Sequence, residues 1–243
     1  MKKYLIAAAV IGLGLASPAI AQDVTVAVNG PMTGGEATFG TQFKSGAEAA
    51  IADINAAGGV LGKKVKLEIG DDACEPKQAV ALANKTAGLK VAAVIGHFCS
   101  SSSIPSSAIY AEQKIIQISP ASTNPKLTDE RAGPSIYRVC GRDDQQGGVA
   151  GAYIAKNFKD KKVAILHDKT AYGEGLAKET QKAMNAAGKK EVLADSITKG
   201  DKDFTAVVTK LKQANVDLVY LAVITLRAAS SSVRCATRAS TPR

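Results

Sequence analysis

The sequence has few groups that could perform chemistry. It contains two histidines among 243 residues, and two isolated histidines do not make a zinc site. It also lacks a G-x-S-x-G elbow, a Walker A lysine motif and a G-x-G-x-x-G run after its first predicted strand. These motifs mark hydrolases, nucleotide-phosphate sites and dinucleotide sites. We therefore expect no catalytic residue, no metal and no cofactor.

The net charge of +9 is not a sign of nucleic-acid binding. Lys2, Lys3 and the four arginines after residue 226 supply six of the nine positive charges. The other lysines are dispersed, and aromatic residues make up only 5% of the chain. A nucleic-acid surface normally concentrates basic side chains on one face, so we expect no nucleic-acid partner.

The first 21 residues have the pattern of a secretory signal. Lys2 and Lys3 precede the apolar stretch 5–15, and Ala19-Ile20-Ala21 offers a small-x-small cleavage site. An uncleaved membrane anchor is the alternative, because the stretch 4–21 approaches a spanning length. We predict cleavage and export to the periplasm.

Export permits disulfides, and the chain has four cysteines. Cys74 and Cys99 each follow a predicted strand and form the natural pair. Cys140 is interpreted as a small buried residue rather than a reactive thiol. A secreted hydrolase that uses Cys99 with His97 remains an alternative, although it requires Cys99 to be reduced.

Strand and helix patterns alternate regularly along the chain, which predicts an α/β fold with parallel sheets in two lobes. The lobes are expected at 22–140 and 141–221. Strands are predicted at 23–29, 64–70, 91–95, 114–119, 135–140, 162–167, 191–196 and 216–221. Helices are predicted at 40–57, 76–88, 102–112, 143–158, 174–187 and 203–213.

The stretch 91–107 predicts a strand, a Gly96 turn, a serine run and a helix. Such a turn places backbone N–H groups and hydroxyls at a helix N-terminus, which suits a carboxylate. The polar loop 119–123 and the loop holding Tyr172 should meet it at the carboxyl ends of the strands. Serines and prolines in these loops could also serve only to make turns.

Four segments resemble the periplasmic leucine/isoleucine/valine-binding proteins of ABC importers: 71–80 (DDACEPKQAV), 96–102 (GHFCSSS), 167–175 (HDKTAYGEG) and 202–204 (KDF). The resemblance runs from the signal peptide to about Tyr220. It implies the two-lobed type I periplasmic binding fold, here with an incomplete second lobe. It also implies a monomer that closes over one amino acid and delivers it to a membrane permease.

The resemblance also implies the residues of the site. Ser100 and Thr123 would hold the α-carboxylate and the ammonium region, with the backbone of Ala121 as a further partner. The aliphatic side chain would contact Phe39, Phe98, Cys99 and Tyr172. The pair Cys74–Cys99 matches the family's disulfide. Phe39 stands where the family often has tyrosine, so a hydroxyl contact is not expected there.

The resemblance ends after Tyr220, where the family has a Gly-Gly-Tyr-His-Pro-Glu-like run. Loss of one base from Gly-Gly-Tyr-His codons gives Ala-Val-Ile-Thr, the sequence of 222–225. We therefore expect a frameshifted product with an out-of-frame tail at 222–243, an exposed sheet edge and weak or absent amino-acid binding. An intact frame with no lobe sequence downstream of Arg243 would contradict this. A sensory protein with a membrane signalling partner is the alternative role.

Overall fold

The computed structural model describes residues 23–224 and contains two parallel β-sheets with helices packed on them. The predicted signal peptide and residues 225–243 of the predicted tail lie outside the described residues. The elements, in chain order, are β1 (Val24–Gly30), α1 (Ala37–Ala56), β2 (Val65–Asp71), α2 (Pro76–Gly88), β3 (Ala93–Gly96), α3 (Ser100–Glu112), β4 (Ile116–Ser119), α4 (Lys126–Asp129), β5 (Ile136–Arg138), α5 (Asp143–Asn157), β6 (Val163–His167), α6 (Ala171–Ala186), β7 (Leu193–Ser196), α7 (Thr205–Gln213) and β8 (Leu218–Ala222).

The first sheet has the strand order β2-β1-β3-β4-β5, and every pairing is parallel. Its main core lies between the sheet and the helices α2, α3 and α4. Tyr110, Leu127 and Ile136 are almost fully buried there against Ala27 and Val94. Burial of these apolar groups is the main favourable term for this lobe.

The second sheet has the order β7-β6-β8, also parallel. Its central strand is buried on both faces, because successive side chains of a strand point to opposite sides. Ile165 packs in a cluster with residues of α5 and α6, whereas Leu166 packs with residues of α7. Gly151 allows α5 and α6 to approach closely, since a Cβ there would lie 2.5 Å from the carbonyl oxygen of Thr180.

The predicted parallel α/β architecture is confirmed, with small shifts in element boundaries. The one-turn helix α4 was not predicted, because four residues carry no helical periodicity. Helix α6 begins at Ala171 instead of 174, since the Thr170 hydroxyl caps it by accepting from the Gly173 N–H at 3.0 Å. Tyr172 therefore lies in the first turn of a helix, and its placement in a loop was wrong.

Polar contacts join the two lobes. The Ala171 N–H donates to Ser101 Oγ at 3.0 Å, and Asn124 Nδ2 donates to the Ala171 carbonyl at 2.6 Å. Farther along the interface, Lys199 Nζ lies 3.0 Å from Glu75 Oε1. The carboxyl ends of strands from the two sheets consequently face each other across a narrow gap.

Between residues 23 and 224, no helix combines the length and apolar character needed to cross a membrane.

Candidate ligand-binding site

A cavity of about 210 Å³ lies in the gap between the lobes. Its walls come from segments that follow β1, β3, β4, β5, β6 and β8, so they meet at the carboxyl ends of the strands. The seven site residues implied by the resemblance all line it: Phe39, Phe98, Cys99, Ser100, Ala121, Thr123 and Tyr172. Three further residues complete the lining: Gln146, Val223 and Ile224.

The turn 98–100 forms one wall of the cavity. Its position depends on Gly96, the last residue of β3, which packs closely against β1. Gly96 has φ +147°, and a Cβ there would lie 2.0 Å from the Asn29 carbonyl oxygen. Only glycine permits this close approach to β1. The chain then passes through Cys99 and enters α3 at Ser100, which places the N-terminus of a 13-residue helix at the cavity.

The disulfide Cys74–Cys99 ties this turn to the loop after β2. Both cysteines are almost fully buried. The loop itself is ordered by Asp72, whose Oδ1 accepts from the Cys74 N–H at 2.8 Å. The disulfide predicted from the sequence is therefore present, and it holds one wall of the cavity in place.

His97 lies behind the cavity in a buried polar network. Its Nδ1 lies 2.5 Å from Asp72 Oδ2, and its Nε2 lies 3.0 Å from the Tyr110 hydroxyl. The His97 carbonyl also accepts from the hydroxyls of Ser103 and Ser119 at 3.1 and 2.7 Å. Both ring nitrogens are thus engaged by Asp72 and Tyr110, and the imidazole serves to hold the turn.

The second wall is the loop after β4, which carries Ala121 and Thr123. Arg138 fixes this loop by donating to the carbonyl oxygens of Ser122 and Asn124, both at 2.8 Å. The Asn124 N–H donates to Ser100 Oγ at 3.3 Å, which joins this wall to the start of α3. Within the described part of the chain no acceptor takes the Ser100 hydroxyl hydrogen, so the hydroxyl can donate it to a ligand.

The remaining walls are aromatic and apolar. Phe39 stacks on Phe98 with ring centroids 4.4 Å apart, and Phe43 supports Phe98 from the side at 6.0 Å. Burial raises the pKa of Tyr172 above its ordinary value, so its hydroxyl is a neutral hydrogen-bond donor near pH 7. The cavity lining therefore combines hydroxyls and a helix N-terminus with aromatic and apolar side chains.

Asp143, in the first turn of α5, lies close behind Thr123. Its side chain is fully buried, and burial raises its pKa to about 6 against the opposing effect of the neighbouring Thr123 hydroxyl and Arg138. Among the described residues, neither of its carboxylate oxygens nor Thr123 Oγ1 has a well-aligned hydrogen-bond partner. Buried polar atoms that lack hydrogen-bond partners are suited to bind a polar group of a ligand or a water molecule.

A larger groove of about 540 Å³ adjoins the cavity at Ser100 and opens between α4 and α6. Several charged side chains line it, including Lys126, Asp129 and the ion pair Lys178–Glu174. Charges that face solvent are well hydrated and gain little from a small ligand. The smaller cavity, where the strand ends converge, is the better candidate site.

Comparison with known sequences decides the family. The sequence matches the periplasmic binding proteins over residues 23–236. The chain belongs to the periplasmic binding protein family. An amino acid binding protein of Pseudomonas aeruginosa is 53% identical over 221 residues, covering 90% of this chain and 59% of that protein. A Leu/Ile/Val-binding protein homolog of Brucella abortus is 51% identical over 213 residues, covering 88% and 56%.

Solved structures agree with this assignment. This periplasmic binding protein superposes on LivJ of Streptococcus pneumoniae, solved with isoleucine, with a TM-score of 0.69 and 27% identity over 82% of this chain and 57% of that one. It superposes on the leucine-binding protein LivK of Thermotoga maritima with a TM-score of 0.72 and 30% identity, covering 82% and 55%. The chain spans a little over half the length of the relatives it matches.

Members of this family bind solutes and are not enzymes, which agrees with the engaged imidazole of His97 and the oxidised Cys99 of this periplasmic binding protein. The cavity residues that sequence reasoning missed have identifiable reasons. Gln146 lies one helical turn beyond Asp143, and only its position on a helix pointing toward the cavity could have indicated it. Val223 and Ile224 fall just after the predicted end of the last strand.

Proposed function

We propose that this periplasmic binding protein is exported and holds a small aliphatic α-amino acid for an ABC importer in the membrane. The observation that carries the proposal is that one cavity combines hydroxyls at a helix N-terminus with aromatic and aliphatic side chains. Ser100, Thr123 and the N-terminus of α3 suit a carboxylate, while the stacked rings of Phe39 and Phe98 suit a hydrocarbon side chain. Relatives named for leucine, isoleucine and valine support this ligand class.

The cavity also suggests that the affinity is modest. Among residues 23–224, none of the ten that line it is charged, so the ligand's ammonium group meets no carboxylate in the walls that this part of the chain provides. Charge-assisted hydrogen bonds are about twice as strong as neutral ones. We therefore expect a dissociation constant for leucine of about 1 mM, equivalent to about 4 kcal/mol.

The same observation favours a second candidate, a small aromatic carboxylate with no ammonium group. A solute-binding protein of Rhodopseudomonas palustris that was solved with 4-hydroxybenzoate superposes with a TM-score of 0.71 at 25% identity. The Phe39–Phe98 stack would accept a further ring. Competition between leucine and 4-hydroxybenzoate, followed by ligand-observed NMR, distinguishes the two ligand classes.

Replacing Ser100 with alanine should weaken carboxylate binding at least about 10-fold, because one charge-assisted hydrogen bond is lost. Ser106→Ala is the matched control, since Ser106 is a buried serine of the same helix that does not line the cavity. NMR titration with leucine measures both variants. Equal leucine affinities of the two variants would show that Ser100 does not bind the carboxylate.

A further inference from the structure

An ion pair outside the cavity joins the two lobes at the outer edges of their sheets. Lys199 Nζ lies 3.0 Å from Glu75 Oε1 and 3.4 Å from the carbonyl oxygen of Cys74. Glu75 follows β2, an edge strand of the first sheet, and Lys199 follows β7, an edge strand of the second. The chain crosses between the lobes after β5, the opposite edge strand of the first sheet. The pair is therefore far from the crossing, where a change in the angle between the lobes separates their surfaces most.

Both members of the pair are presented by ordered loops. Glu75 directly follows a disulfide-bonded cysteine, and its N–H donates to the Asp72 carbonyl at 2.7 Å. Lys199 lies in a turn in which the Thr198 N–H donates to Asp201 Oδ2 at 2.9 Å and the Asp201 N–H donates to the Thr198 carbonyl at 3.0 Å. Because the backbone on each side is already fixed, the contact costs mainly the rotamer freedom of two side chains.

The charges make this contact sensitive to salt. The side chains of Lys199 and Glu75 are 32% and 54% exposed, so dissolved ions reach them. The screening length falls from about 10 Å at 0.1 M salt to about 3 Å at 1 M. The contacts of Ala171 with Ser101 and Asn124 also join the lobes, but they are hydrogen bonds between neutral groups and respond less to salt.

We propose that Lys199 and Glu75 form an ionic latch that favours the closed arrangement of the lobes and makes solute retention weaken as the ionic strength rises. The two side chains belong to different lobes, so the latch forms only when the lobes are together. Its free energy therefore shifts the equilibrium between open and closed arrangements. A smaller closed fraction lowers the apparent affinity for any solute that requires closure. The inference goes beyond the proposed function, because the latch acts whichever solute is bound.

Hydrogen exchange at the Ala171 amide, followed by NMR without ligand, measures how often the lobes separate. This N–H lies in the first turn of α6, where no intrahelical acceptor is available, and it donates to Ser101 Oγ across the gap. We expect exchange at least about 2-fold faster in Lys199→Glu than in the wild type at low salt, since an exposed pair is lost and like charges face each other. The charge swap Lys199→Glu/Glu75→Lys should restore the wild-type rate. Salt at about 0.5 M should speed exchange in the wild type more than in Lys199→Glu.

Lys202→Glu is the matched control, because Lys202 is an exposed lysine of the same loop and no hydrogen bond or ion pair joins it to the rest of residues 23–224. Faster exchange in Lys199→Glu that the charge swap reverses supports the latch. Equal rates in Lys199→Glu, Lys202→Glu and the wild type overturn it, as does a faster rate that the swap fails to reverse. Titration of the same proteins with L-leucine is scored separately: absence of binding by the wild type contradicts the proposed function, while the exchange rates still decide the latch.

Discussion

Replacing Cys74 and Cys99 with serine is expected to lower the free energy of unfolding by roughly 3 kcal/mol. The disulfide closes a loop with a sequence separation of 25. Without it, the unfolded chain regains the conformational entropy that the cross-link removes. The native turn 98–100 loses its covalent attachment at the same time. A loss of this size is a large fraction of the free energy of unfolding of a domain of ordinary stability.

Urea unfolding of C74S/C99S, followed by far-ultraviolet circular dichroism, measures this loss, because the chain has no tryptophan to report unfolding. Cys140→Ser is the matched control, since Cys140 is a half-buried thiol outside the disulfide. We expect the control to change the free energy of unfolding by less than about 1 kcal/mol. A loss of similar size in both variants would show that the disulfide does not hold the cavity wall.

Replacing Asp143 with asparagine should change how stability depends on pH. The pKa of Asp143 is about 6 in the folded chain, above its usual value of 3.8, because the carboxyl group is buried. The folded state therefore binds more protons than the unfolded state between these values. The stabilisation that Asp143 contributes to the folded state is fully present below pH 3.8 and is lost as the pH rises through about 6. The full difference amounts to up to about 3 kcal/mol.

The amide of Asp143→Asn cannot ionise, so this variant should be more stable than the wild type at pH 8 and similar to it at pH 4. Asp144→Asn is the opposite control within the same helical turn. Hydrogen bonds from Arg142 hold the pKa of Asp144 below its usual value, so its small contribution is lost as the pH falls. Urea unfolding at several pH values separates the two. Parallel profiles for wild type and Asp143→Asn would show that the buried carboxyl group is already compensated.

The positions of the strands and of every helix except α4 could be predicted, because the buried strands are short and glycine or proline marks an end of several helices. Pro76 begins α2 where it was expected, and Gly188 follows α6. The start of α6 was missed because a threonine cap outweighed the glycine-containing pattern around Gly173. Boundaries set by one side-chain hydrogen bond are difficult to read from periodicity alone.

Only part of the candidate site could be predicted from the sequence. Ser100 and Thr123 came from the resemblance, and the strand-turn-helix pattern independently indicated an anion site near Ser100. Burial of Asp143 could not be anticipated, because a carboxylate in the first turn of a helix is normally solvated and favourable there. Val223 and Ile224 could not be assigned because the resemblance ended at Tyr220 and the register of β8 became visible only in the structure.

Titration of the wild-type chain with L-leucine, beside the double variant Ser100→Ala/Thr123→Ala, tests the account most directly. We expect the wild type to bind with a dissociation constant of about 1 mM and the double variant to show no saturation in the same range. Absence of binding by the wild type would contradict the proposed ligand class. Equal binding by both proteins would contradict the assignment of the carboxylate to Ser100 and Thr123.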